Sequence, residues 1–66
     1  MNLTEADARV FLTEGLLSAD IEEHEEAIEN YDKALEIVQS VEIYLNKGVS
    51  LAELERFEEA LECYDK

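Results

Sequence analysis

The sequence contains no proline, no tryptophan, two glycines and a single cysteine in 66 residues. Because proline and glycine are the residues that most often interrupt helices, their scarcity favours long helical segments. No window alternates apolar and polar residues as a half-buried strand does, so the sequence predicts an all-α fold. One cysteine cannot form a disulfide within the chain, and we therefore expect a reducing, cytoplasmic location.

Basic residues are also scarce, since five Lys and Arg stand against 18 Asp and Glu and leave a formal net charge of −13. This charge repels phosphate backbones and anionic lipid headgroups, so we expect neither nucleic acid nor a membrane surface as partner. The longest apolar runs are far below membrane-spanning length, and no basic start precedes an apolar stretch as in an export signal. The hydrophobic content of 47% still provides enough apolar surface for folding.

The sequence offers no grouping of residues that would support catalysis. A chain this short forms at most one domain, residues 1–66, with a thin core and no deep cleft. His24 has no second His or Cys at ligand spacing, and we expect its ring to pack at a helix start rather than to bind a metal. We expect Cys63 to be partly exposed, with its pKa raised by Glu59 and Glu62, which makes it a poor nucleophile. The sequence therefore predicts a protein that is not an enzyme and needs no cofactor.

Apolar residues recur at spacings of three and four in four successive segments, the pattern of amphipathic helices. The first segment begins after Thr4, whose side chain can cap a helix together with Asp7, and should end near Asp20. Three further helices follow, with apolar positions that begin near Ala27, Val41 and Phe57 in turn. Two helical hairpins are therefore expected.

The second half of the chain repeats the first at a distance of 33 residues. Between residues 11–33 and 44–66, 11 of 23 positions are identical. Gly15 and Gly48 recur in mid-helix, where glycine costs about 1 kcal/mol relative to alanine, so we expect a backbone or an aromatic ring to approach closely there. Ala27 and Ala60 are the small residues expected opposite, and two aromatic pairs are expected to fill the space beside this contact: Phe11 with Tyr31 and Tyr44 with Tyr64.

These residues resemble the tetratricopeptide repeat, whose frame places an aromatic residue before a glycine and an alanine before a second aromatic. Two copies fit this frame, at about residues 5–38 and 41–66. The resemblance implies a superhelix of two antiparallel helical hairpins and a non-catalytic role in protein–protein interaction.

Two departures from the family pattern bear on assembly. The proline that usually separates repeats is absent from the junction 36–41, so the two middle helices either break there, which we favour, or fuse into one helix that would give a swapped dimer. The second copy stops at Lys66, before the counterparts of Ala34 and Leu35, so we expect a truncated last helix and an open apolar end. Repeat units bury their faces on neighbours, and an open end predicts a homo-oligomer.

The resemblance also implies a binding surface, because the first helix of each unit in this family lines a groove that receives a peptide. Apolar residues of this surface could hold a ligand's side chains and acidic ones would favour basic residues, so a basic amphipathic peptide is the expected partner. The same apolar residues could instead form an interface with another helix or chain. The predicted partner-binding residues are Arg9, Leu12, Thr13, Leu16, Asp20, Glu42, Leu45, Asn46, Val49 and Glu53.

Overall fold

The computed structural model describes residues 2–66 and contains four α-helices within them. Helix α1 comprises Glu5–Asp20, α2 His24–Ile37, α3 Val41–Glu53 and α4 Phe57–Tyr64. Helix α1 packs on α2, α2 on α3 and α3 on α4, while α1 and α3 touch only slightly. The described part of the chain has no strand, so the predicted all-α class and the two hairpins are confirmed. None of its helices has the length and apolar character needed to cross a membrane.

The helix starts follow the local sequence signals. The backbone N–H of Thr4 donates a hydrogen bond to Asp7 Oδ2 at 2.8 Å, which is one half of the capping box expected at the start of α1. Ser40 caps α3 in the same position relative to its helix, because its Oγ accepts a hydrogen bond from the Ile43 N–H at 3.4 Å. Helix α1 therefore starts after Thr4, as the sequence predicts, and the structure adds Ser40 as the cap of α3.

The junction between the two copies is broken, as we favoured. Helix α2 ends at Ile37 and α3 begins at Val41, with Val38 and Ser40 in extended conformations between them. The Tyr44 hydroxyl donates a hydrogen bond to Gln39 Oε1 at 2.7 Å, which ties the connecting segment to α3. A capping serine and extended backbone thus separate these helices without a proline.

Both hairpin turns contain a glutamate in the left-handed region. Glu22 and Glu55, which are counterparts in the two copies, each have a φ of 62°. In the first turn the N–H of Glu23 reaches the Ser18 carbonyl at 2.8 Å, and the N–H of Arg56 reaches the Leu51 carbonyl at 2.8 Å in the second. These bonds satisfy carbonyls at the helix ends, and a glutamate occupies the place that glycine usually takes.

Two buried clusters hold the four helices together. The first joins residues of α1, α2 and α3, and the second joins residues of α2, α3 and α4. Because both clusters include α2 and α3, those helices form the centre of the molecule. The first cluster consists of Leu12, Ala27, Tyr31, Ala34 and Ile43, and the second of Ile28, Leu51, Ala60 and Cys63.

The two mid-helix glycines admit an aromatic ring, as the sequence predicts. A Cβ atom on Gly15 would lie 2.5 Å from Tyr31 Cε1, and one on Gly48 would lie 2.5 Å from Tyr64 Cε1. Any larger residue would therefore collide with the ring of the following helix. Ala27 and Ala60 are buried beside these contacts, so shape complementarity packs each hairpin.

An ion pair joins the two copies across the α2–α3 contact. Lys47 Nζ lies 2.6 Å from Asp32 Oδ1, with the lysine side chain largely covered. Burial lowers the pKa of Lys47, but the hydrogen bond and charge of Asp32 outweigh burial and hold that pKa above its ordinary value of 10.5. This pair is thus a polar component of the inter-copy interface.

Candidate protein-binding groove

The ten predicted partner-binding residues form five pairs of counterparts on α1 and α3, the equivalent helices of the two copies. The five members on α1 and the five on α3 form two rows, and helix α2 lies against both helices. Eight of the ten residues line two separate concavities instead of one continuous surface. The pairs are Arg9 with Glu42, Leu12 with Leu45, Thr13 with Asn46, Leu16 with Val49, and Asp20 with Glu53.

The larger of these two concavities, which we call the inter-repeat groove, has a volume of about 410 Å³. Five of the predicted residues line it, and they include both apolar and acidic members of the two rows. The apolar ones, Leu16 and Val49, are exposed, so their side chains are available to a partner. The lining consists of Leu16, Ala19, Asp20, Glu22, His24, Tyr31, Asn46, Val49, Ser50 and Glu53.

Three polar side chains that the sequence analysis did not assign to the surface form the floor of the groove. Tyr31 and Ser50 are almost fully buried, and His24 Nδ1 lies 3.4 Å from Ser50 Oγ. Burial raises the pKa of Tyr31, a hydrogen bond with Ser50 lowers it, and the charge of Asp20 raises it further. The net result is a phenol held in its neutral, hydrogen-bonding form.

One sequence signal could have revealed this floor. Ser50 stands where the first copy has Leu17, and a hydroxyl at a position that faces a neighbouring helix needs a hydrogen-bonding partner. His24 provides that partner from the first residue of α2. Its half-buried ring therefore packs at a helix start, as the sequence analysis expects.

Acidic side chains form the rim. Asp20 and Glu53 are counterparts that lie at the ends of α1 and α3, and both are exposed. Glu22, from the first hairpin turn, adds a third carboxylate to the lining. Together they give the groove a negative potential that adds to that of the whole chain.

A second concavity, of about 260 Å³, lies at the other end of α1 and α3. Its lining includes Arg9, Leu12 and Glu42 of the predicted residues. Arg9 Nη1 and Glu42 Oε1 lie 3.9 Å apart with both side chains well exposed, a geometry that contributes little to stability. Leu12 packs in the first buried cluster, so its side chain contributes to the core and offers little surface to a ligand.

Thr13 and Leu45 belong to neither lining. Both are exposed. Of the ten predicted residues, five therefore line the inter-repeat groove, three line the second concavity, and two line neither.

Cys63 is buried in the second cluster, which corrects the expectation that it is partly exposed. Burial is the main cause that raises the pKa of its thiol, and the charges of Asp32 and Glu62 add to this effect against the opposing charge of Lys47. Its counterpart Asn30 is only half-buried, so equivalence between the copies did not predict its environment. Within residues 2–66, no three His, Cys, Asp or Glu side chains are grouped to hold a metal ion.

Comparison with known protein families gives a clear result for most of the chain. The family model for the tetratricopeptide repeat matches residues 8–37 and 41–66, which correspond to the two copies seen in the sequence and to the two hairpins of the structure. Comparisons with curated proteins and with solved structures gave no match. Repeats of this family generally mediate protein–protein interactions. The chain belongs to the tetratricopeptide repeat family.

Proposed function

We propose that the chain is a non-catalytic interaction module that receives a peptide segment of a protein partner in the inter-repeat groove. The observation that carries this proposal is the juxtaposition of equivalent residues from both copies around one concavity. Leu16 and Val49 face it with exposed apolar side chains, and Asp20 stands at its rim. A site built from two copies is complete only when both hairpins are folded and packed.

The composition of the groove favours a basic amphipathic peptide. The exposed apolar side chains supply the area that an apolar anchor residue would cover. The rim carboxylates and the net charge of −13 attract Lys or Arg residues beside that anchor and raise the association rate at low salt. An acidic peptide of the same shape would meet repulsion from the same groups.

The floor adds a polar element that selects orientation. Ser50 is covered and its hydroxyl is bonded to His24, so the half-buried His24 ring is the part of this pair that a ligand's backbone can reach. Asn46, in the α3 row, supplies a half-buried amide beside them. We therefore expect an extended or helical segment to bind with its backbone near the floor and its basic side chains at the rim.

The test uses a labelled peptide that alternates leucine and lysine, titrated into the protein at low salt and followed by fluorescence anisotropy. Val49→Glu should weaken binding at least about tenfold, because it places a carboxylate on the apolar part of the groove. Val10→Glu is the matched control, since Val10 is exposed to a similar degree on α1 but lies outside the groove lining. Equal loss in both variants, or tight binding of a peptide in which glutamate replaces lysine, would overturn the groove assignment.

The second candidate function is self-association, with the chain acting as a structural module. The observation that favours it is the set of exposed large apolar side chains on α1 and α4, away from the inter-repeat groove. Light scattering across a concentration series tests it, because a mass that stays at 7.6 kDa throughout would contradict this candidate.

A further inference from the structure

The contact between His24 and Ser50 joins two positions that are apolar in the other copy. His24 Nδ1 lies 3.4 Å from Ser50 Oγ, across the contact between α2 and α3. The counterpart of His24 is Phe57, and the counterpart of Ser50 is Leu17. Each repeat position therefore accepts an apolar residue elsewhere in the chain, and the polar pair is a feature of the inter-repeat groove rather than a requirement of the repeat.

His24 is the one residue among the described groove lining that can become positively charged. The lining contains the carboxylates of Asp20, Glu22 and Glu53 and neither Lys nor Arg. An imidazole changes its charge between about pH 5 and about pH 8, a range in which ordinary carboxylates are already ionised. Within this range, the charge of the groove lining therefore changes through His24.

The surroundings of the His24 ring are strongly acidic. Helices α1 and α3 and the turn before α2 each contribute a carboxylate to the groove, so a proton on the ring is attracted to groups that a basic ligand would also use. The charged and titratable groups around the ring are Asp20 of α1, Glu22 and Glu23 of the first turn, Glu25 and Tyr31 of α2, Glu53 of α3, and Arg56 of the second turn, whose charge acts on Glu25.

Protonation also sets the direction of the hydrogen bonds in the floor. A neutral imidazole has one N–H, so Nδ1 of His24 either accepts a hydrogen bond from the Ser50 hydroxyl or donates one to it. A protonated ring has an N–H on both nitrogens, so Nδ1 can only donate to Ser50 Oγ. The Ser50 hydrogen is then directed to Tyr31, with which Ser50 has a second side-chain hydrogen bond. Protonation thus adds a positive charge and fixes one arrangement of the floor.

We propose that His24 makes the inter-repeat groove sensitive to pH, so that a basic peptide binds more tightly when the ring is neutral and more weakly when it is protonated. This inference rests on the proposed function, because it concerns the same groove and the same class of partner. A protonated ring repels the Lys or Arg side chains of the peptide and competes with them for the rim carboxylates. The half-buried position of the ring limits the screening of this repulsion by solvent.

The test measures binding of the alternating leucine–lysine peptide by fluorescence anisotropy at about pH 7.5 and at about pH 5.5, both at low salt. The peptide is acetylated and amidated and has a label that does not respond to pH, so no group of the ligand titrates between these values. The affinity of the unchanged protein should fall about threefold to tenfold at the lower pH. Circular dichroism measures helicity at both pH values, and a loss of helicity equal to the loss of binding would overturn the proposal.

His24→Gln is the deciding variant. Glutamine keeps a side chain that can form hydrogen bonds but takes up no proton, so the affinity of this variant for the peptide should be the same at both pH values. Asp20→Asn is the matched control, because it removes a rim carboxylate and keeps His24. The control should bind the peptide more weakly at both pH values and should still lose affinity at the lower one.

Three further outcomes would overturn the proposal, and they differ from one another. A loss of affinity at low pH that persists in His24→Gln would assign the effect to the carboxylates. Equal affinity of the unchanged protein at both pH values would refute the role of His24 while leaving the proposed function intact. Absence of peptide binding at either pH would refute the proposed function, and this inference with it.

Discussion

The two hairpins share a sequence frame and a backbone geometry, yet their aromatic residues have different environments. Tyr31 packs on Gly15 and is covered by α3, whereas Tyr64 packs on Gly48 in the same way and has no further helix against its outer side within the described residues. The contact between glycine and tyrosine is therefore formed within one hairpin, whereas burial of the tyrosine depends on a neighbouring helix. This difference teaches that equal residues in a repeat carry unequal shares of the stability.

The largest expected contrast comes from removing the two tyrosine rings. Tyr31→Ala should lower the free energy of unfolding by about 3–5 kcal/mol, because it opens a cavity among three helices. Tyr64→Ala should lower it by about 1 kcal/mol, since nearly half of the ring already faces solvent. Urea denaturation followed by circular dichroism measures both, and equal losses would contradict the proposed inequality of the hairpins.

The glycines give the next contrast. An added methyl group at Gly15 meets a ring that cannot move away, so Gly15→Ala should destabilise by about 1–2 kcal/mol even after the gain in helix propensity. At Gly48 the Tyr64 ring can turn toward solvent, and Gly48→Ala should be neutral or stabilise by up to about 1 kcal/mol. A thermal or urea unfolding series distinguishes these signs, and a loss at Gly48 as large as that at Gly15 would show that the Tyr64 ring is held in place.

The inter-copy ion pair predicts a smaller asymmetry. Asp32→Asn should lower the free energy of unfolding by about 1 kcal/mol, because it leaves the largely covered Lys47 ammonium without its partner. Its counterpart Asp65 is exposed, and Asp65→Asn should stay within about 0.5 kcal/mol of the unchanged protein. The two variants have equal net charge. A similar loss of unfolding free energy in both would show that the Lys47–Asp32 pair does not stabilise the fold.

The same pair predicts a dependence on alkaline pH. The folded pKa of Lys47 lies above its ordinary value of 10.5, so the stabilising contribution is complete below that value and is lost as pH rises through the folded pKa. The unchanged protein should therefore lose more stability than Asp32→Asn on passing from about pH 9 to about pH 11.5. Urea titrations at the two pH values measure this difference. Equal losses of stability in the unchanged protein and in Asp32→Asn would show that the Lys47–Asp32 pair does not cause the pH dependence.

The hairpin turns should respond alike, because their strain is local to each copy. Glu22→Gly and Glu55→Gly should each raise the free energy of unfolding by about 0.5–1 kcal/mol, since glycine adopts a φ of 62° without strain. Glu23→Gly is the matched control, because Glu23 has a φ of −95° and loses the same charge without relief of strain. A gain in the control as large as in Glu22→Gly would assign the effect to charge.

The helices were predictable because their signals are local. The Thr4–Asp7 cap, the spacing of apolar residues and the shift by 33 positions each depend on residues within a few turns of one another. The rows of the candidate groove were partly predictable, because the family resemblance implied one surface for Leu16, Asp20, Val49 and Glu53, and these residues line the same concavity. The floor was not, since contact between His24 and Ser50 depends on how α2 meets α3, 26 residues apart in sequence.

The errors in the sequence analysis have a common physical origin. Cys63 was expected to be partly exposed, and the family resemblance placed Leu12 on the binding surface, yet both are buried against neighbouring helices. Repeat position determines the direction in which a side chain points from its own hairpin. It does not determine whether another helix lies there.

The sequence by itself determined that this protein is helical, acidic and built from two tetratricopeptide repeats, because periodicity, charge and internal repetition are carried by the order of the residues. Only the tertiary structure decided that α2 and α3 break at Val38–Ser40, that Cys63 is buried, and that the groove has a polar floor. Burial and side-chain pairing depend on which helices become neighbours, and stacking of the second hairpin on the first settles that.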